Sequence, residues 1–156
     1  MNLELRSTAP VEQRKAVEGL LFFNPSQGQV RDGIVAALET FGMPRVVEQG
    51  SSLTILTGSH QPQTLFAYDA DRPASPPIGV ILFLRTSPTD VTILHVAVRP
   101  EYTLQGRREG TGVGLFLVES VRTLCTRISG VTRLIFTYGG RSVLSVPQRT
   151  PSSGSG

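Results

Sequence analysis

The chain has 156 residues and contains no tryptophan, one cysteine and two histidines. A lone Cys125 forms no intrachain disulfide and no cysteine-based zinc site. His60 and His95 lie far apart in sequence, so no metal is expected. Lysine is nearly absent too. Lys15 is the only one, which excludes the Gly-x-x-x-x-Gly-Lys-Ser/Thr phosphate loop. The apolar runs 78–84 and 93–98 fall far short of the ~20 residues that span a bilayer. Glu4, Arg6 and Glu12 break up any basic-then-apolar leader, so a soluble cytoplasmic protein with no membrane partner is expected. The net charge of +3 comes almost wholly from scattered arginines. Arg107–Arg108 is their only adjacent pair, and without a positive block no nucleic-acid partner is expected.

Hydrophobic residues make up 39% of the chain and charged residues 17%, enough for one real core and one domain. Residues 2–6 read as a short strand and 11–23 as a helix carrying Ala16, Val17, Leu20 and Leu21, broken by Asn24-Pro25. Ser26 and Gln29 form a capping box for a second helix, with Val30, Ile34, Ala37, Leu38 and Phe41 on one stripe and Gly42 and Pro44 as stops. Strands follow at 53–57 and 64–68, and 71–77 is a proline-rich loop. The runs 78–85 and 91–98 read as strands covered on both faces, joined by the turn 87–90. A helix over about 112–128 has Val113, Leu117, Val121, Leu124 and Ile128 on its apolar stripe, and a strand spans 131–138. Residues 141–146 can add a short edge strand before a Ser/Gly-rich end. The fold class is α/β (α+β): a mixed, mostly antiparallel sheet flanked by helices, with a parallel strand–helix–strand unit near the C-terminus.

The chemistry concentrates between Thr92 and Leu117. A buried strand runs into a loop with glycines at 110, 112 and 114, and that loop opens a helix. Glycines allow successive N–H groups to turn toward one point, and the first helical turn adds free N–H groups and partial positive charge. Together they suit an anion, with phosphate the usual one. Arg107 and Arg108 stand just upstream. The spacing Gly-x-Gly-x-Gly differs from the dinucleotide fingerprint Gly-x-Gly-x-x-Gly.

Val-Ala-Val-Arg-Pro-Glu-Tyr, a polar loop, Gly-Thr-Gly-Val-Gly and an amphipathic helix resemble motif A of the GNAT acyltransferase superfamily. Arg107-x-x-Gly110-x-Gly112 matches the motif literally. A second register sets Gly110, Gly112, Val113 and Gly114 on its glycine core and Glu109 where arginine is expected, and both registers stay open. The resemblance implies a GNAT-like acyl-CoA-binding domain over 1–140 and a flexible tail over 141–156. It implies acetyl-CoA as co-substrate, an amine acceptor, and acetyl transfer between them. The strand end at Val96 and Val98 would pair with the pantetheine amides. The N–H groups of Arg107, Arg108, Gly110, Thr111, Gly112, Val113 and Gly114 would hold the diphosphate.

Two departures set expectations. The family's strand glutamate corresponds to Thr92, with Asp90 two residues earlier and His95 on the opposite face by alternation. The residues after 138 are too few for the family's last helix and two strands, and Tyr138 does not stand at the family's tyrosine position. Thr92, Asp90 and Tyr138 are the catalytic candidates. Beside those roles stand plainer ones: Asp90 as a turn residue, His95 as a satisfied buried histidine, Tyr138 as a packed strand aromatic and Cys125 as core filler. The shortened C-terminus leaves two further expectations, a non-catalytic CoA-binding or protein-interaction module and a homodimer joined by sheet edges.

Overall fold

The computed structural model describes residues 2–22, 42–58, 60–102, 112–136 and 142–147. The helix expected over 26–41 lies outside these residues. The chain begins with β1 (Leu3–Arg6) and β2 (Ala9–Pro10). A short 3-10 turn, Val11–Gln13, then leads into α1 (Arg14–Phe22). β3 (Pro44–Gln49), β4 (Ser52–Thr57), β5 (Gln63–Asp69), β6 (Gly79–Arg85) and β7 (Asp90–Val98) follow in turn. Beyond them come α2 (Val113–Cys125), β8 (Arg133–Phe136) and β9 (Ser142–Ser145).

The strands form two sheets rather than the single one expected. The larger has the order β1-β5-β6-β7-β8-β9, and the smaller has β2-β4-β3. Every neighbouring pair is antiparallel except β7 and β8, which α2 joins as a parallel unit. The fold class is therefore the expected mixed α+β arrangement with a mostly antiparallel sheet. The split arises at Ser7–Thr8, where the chain leaves β5 and crosses to β4.

Each face of the large sheet has its own core. On one face Ile81, Phe83, Val91 and Ile93 meet Val113, Leu117, Val121 and Cys125 of α2. On the other, Phe66, Tyr68, Val80, Leu82 and Leu94 meet Val17, Leu20 and Leu21 of α1 and Val46, Leu53 and Ile55 of the small sheet. This double cover explains why 78–85 and 91–98 are continuously apolar rather than alternating. Burying each such aliphatic side chain stabilises the fold by about 1.5–3 kcal/mol.

α1 is held to the small sheet at its exposed rim. Arg14 pairs with Glu18 at 2.9 Å and Glu48 at 3.2 Å, and donates to the Val46 carbonyl at 3.1 Å. In α2 the buried row is Val113, Leu117, Val121, Cys125. Leu124, expected on that stripe, is 36% exposed, and Cys125 takes its place. A row of four-residue steps is inclined to the helix axis and follows the sheet beneath it, so the contact drifts past Leu124. Of the C-terminal segment, Ser142–Ser145 pairs with β8 as the expected edge strand, and Val146 is buried in the α2-side core.

Gly79 lets α2 approach the sheet. A Cβ at that position would lie 3.0 Å from both Leu117 Cδ1 and Val113 Cγ1. Gly79→Val is expected to cost about 1–3 kcal/mol through overpacking. Urea unfolding followed by circular dichroism checks this, with a lower midpoint at unchanged slope as the expected result.

Candidate functional site

β7 carries the decisive local feature. Phe83 pairs with Ile93 but Leu82 pairs with His95, so Leu94 is an extra residue in the strand. A bulge of this kind inserts one residue and reverses the facing of everything beyond it. Before it, Val91 and Ile93 face α2; beyond it, Val96 and Val98 do. His95 consequently lies opposite Leu82, on the α1 side, which is also the side of Thr92 and its partner Leu84. Simple alternation sets His95 opposite Thr92, and the bulge overturns that expectation.

The parallel ladder between β7 and β8 covers Asp90–Ile93 against Arg133–Phe136. The described pairs run up to the bulge. Val96 and Val98 lie past this point and pack against the α2-side core. The strand end turns through Arg99, whose N–H donates to the Ile78 carbonyl at 2.8 Å, into a 3-10 turn at Pro100–Tyr102.

The start of α2 lies beside that strand end. Gly112 is its N-cap, at φ 61° and ψ 30°, a left-handed conformation that glycine adopts without strain. Its carbonyl accepts the first helical bond, from the Phe116 N–H at 2.8 Å. The N–H groups of Val113, Gly114 and Leu115 precede that bond and have no intrahelical partner. Val113 is fully buried and anchors the turn. A Cβ at Gly114 would lie 3.7 Å from Val98 Cγ2, and one at Gly112 would meet nothing within 4 Å. Of the expected binding positions, Gly114 thus neighbours Val98, with Gly112 and Val113 just before it in the chain. Arg107, Arg108, Gly110, Thr111 and Tyr138 lie outside the described residues.

The two described catalytic candidates are engaged in hydrogen bonds. Asp90 opens β7 with its carboxylate buried against β8. Arg133 donates from Nε to Oδ1 at 2.7 Å and from Nη2 to Oδ2 at 2.8 Å, and the Thr89 hydroxyl donates to Oδ1 at 3.0 Å. The Arg133 hydrogen bonds hold the Asp90 carboxyl below the usual carboxylate range, against the opposing effect of burial. Asp90 therefore ties the starts of the two parallel strands together. Thr92 is buried, and its hydroxyl lies 2.8 Å from that of Thr86 across the hairpin.

His95 is the buried ionisable group that the sequence set aside. Burial lowers its pKa to about 4, while a hydrogen bond to the Leu21 backbone acts in the opposite direction. The ring is neutral at pH 7 and fastens β7 to the end of α1. Cys125 is buried in the α2-side core, and burial raises its thiol pKa, which leaves it inert. Among the described residues no three His, Cys, Asp or Glu side chains form a group that could hold a metal. No helix among them is long and apolar enough to cross a membrane.

No protein-family model matches the sequence. No curated protein matches it either. Two solved structures overlap with 86% of the chain at 18% identity. One is an IAA acetyltransferase from Bacillus cereus ATCC 14579, at a TM-score of 0.43. The other is a chain named for the GNAT family from Desulfovibrio desulfuricans, at 0.44. The overlap spans 64% of the first structure's length and 72% of the second's.

Two pH responses follow from these partners. Asp90 is more acidic folded than unfolded, so its stabilisation is complete above about pH 4 and fades as pH falls through the folded value. Asp90→Asn is expected to lower the melting temperature by several degrees at pH 7, with the gap from wild type narrowing below pH 4. His95 binds fewer protons folded than unfolded between about pH 4 and its usual 6.5, so it makes stability rise with pH across that window. His95→Gln is expected to flatten that part of the curve. Thermal melts over pH 3–8 measure both.

Proposed function

We propose that the chain is a GNAT-type N-acyltransferase that moves an acetyl group from acetyl-CoA to an amine. The observation that carries this reading is the meeting of the β7 end with the N-terminus of α2. Val98 and Gly114 are neighbours there, and the first N–H groups of α2 stand beside the end of β7. Helix N-termini of this kind favour anionic oxygens. The resemblance of 92–117 to motif A supplies the rest. In this reading the main chain of Val96 and Val98 pairs with pantetheine amides. The N–H groups from Arg107 to Gly114 receive the diphosphate.

The chemistry then needs little from side chains. The acceptor amine loses a proton and attacks the thioester carbonyl. The tetrahedral adduct collapses, the C–S bond breaks, and CoA leaves as thiolate to take up a proton. Holding the amine and thioester in line supplies much of such a rate enhancement. One specific observation favours a second reading, a module that binds acyl-CoA without turning it over. Asp90 is paired with Arg133, and the Thr92 hydroxyl is paired with Thr86.

Acetyl-CoA at millimolar concentration is expected to raise the melting temperature of the full chain, because a ligand of the native state stabilises it. Gly114→Glu has room for its Cβ yet brings negative charge to the helix N-terminus, and is expected to abolish the shift while folding normally. Absence of any wild-type shift overturns both readings. A shift without thiol release over a panel of amines selects the second.

A further inference from the structure

α2 and the turn after it have a second face that is partly exposed among the described residues. Phe116, Glu119, Ser120, Thr123 and Leu124 follow one another at helical three- and four-residue steps along α2 and, with Arg127 in the turn just after it, border a groove of ≈ 440 Å³. Its far wall is Leu5 of β1 and Leu65 of β5, at the edge of the large sheet. Leu124 is 36% exposed at this face. A helix that is apolar on a second side has something further to cover.

The charges identify what covers it. Glu119 and Arg127 stand four residues on either side of Thr123. Among the described residues Glu119 has only a long ion-pair contact, with Arg122 at 3.7 Å on an exposed surface. Arg127 forms no ion pair among the described residues. A two-fold axis relates residue i to j and j to i across one surface. An axis passing beside Thr123, with the two helices antiparallel, brings each Glu119 opposite the partner's Arg127 and closes two ion pairs at once. The short side chains of Ser120 and Thr123 allow close approach at the axis. Leu124, one residue from the axis, meets its own copy. We propose that this face is the interface of a homodimer, built on α2 packed antiparallel against the partner's α2 and flanked by the β1–β5 edge. It differs from a strand-to-strand dimer and is independent of the acyltransferase reading.

Charge exchange tests it. Sedimentation velocity on the full-length chain, from micromolar to submillimolar concentration, is expected to show wild type passing from 16.8 kDa to twice that mass. Arg127→Glu sets Glu opposite Glu and Glu119→Arg sets Arg opposite Arg, so each alone is expected to stay monomeric over the same range. An equimolar mixture of the two single variants restores both attractive pairs and is expected to sediment as a dimer, as is the double variant E119R/R127E. Leu124→Glu, on the exposed face, is expected to be monomeric. Circular dichroism on each variant confirms that the fold is retained. A wild-type chain that stays monomeric throughout overturns the proposal. So does a dimer that survives both single charge reversals, or a mixture and double variant that remain monomeric.

Discussion

One inserted residue, Leu94, organises the centre of this protein. A strand five or more residues long keeps one set of side chains on each face unless an extra residue breaks the phase. In β7 the break comes after Ile93. The strand thereby serves two structures. Its first half is stapled to β8, with Asp90 and Arg133 as the staple. Its second half belongs to the start of α2, with Val96 and Val98 under the helix and Val98 beside Gly114. Without the bulge, Val96 and Val98 would face α1, and His95 would be buried in the aliphatic core beneath α2. The hydrogen bond to the Leu21 backbone exists only because the phase is reversed.

Much of this architecture was legible in the chain, and the reason is local. Strands that are apolar on both faces advertise themselves as continuous runs, so 78–85 and 91–98 were plain. The hairpin 87–90 carries Ser, Pro, Thr and Asp, residues whose backbone preferences and short polar side chains make turns. Gly112 ahead of Val113 marked a helix entry that the structure keeps within a residue. The bulge was not legible, because Leu94 and His95 differ in polarity without departing from strand composition. A phase reversal is set by the partner strand's register, which no single segment encodes. The small sheet escaped notice for a similar reason. Residues 9–10 form too short a strand to show a period, and only their pairing with Ser52 and Leu53 gives them a role.

The candidate site divides along the same line. Its backbone features followed from glycine placement and helix polarity, which are properties of a few adjacent residues. The side-chain roles did not, since they depend on partners distant in sequence. Asp90 could be read as a turn acid from its neighbours, but its engagement with Arg133 requires knowing that two strand starts lie side by side. The signal that could have pointed there is the matching position of an acid and a base at the openings of two strands joined by one helix. Leu124 shows the converse limit. A heptad-like reading places it with Leu117 and Val121, whereas contact with a twisted sheet selects the four-residue row that ends at Cys125.

The crossing at Ser7–Thr8 bears on how the two sheets are joined mechanically. β1 and β2 are one nearly continuous stretch of chain that closes the edge of one sheet and then the edge of the other, with two residues between them. Such a strap behaves like a shared hem. Peeling it from β5 pulls directly on β4, and the groove wall formed by Leu5 moves with it. The first ten residues therefore couple the opening of both layers.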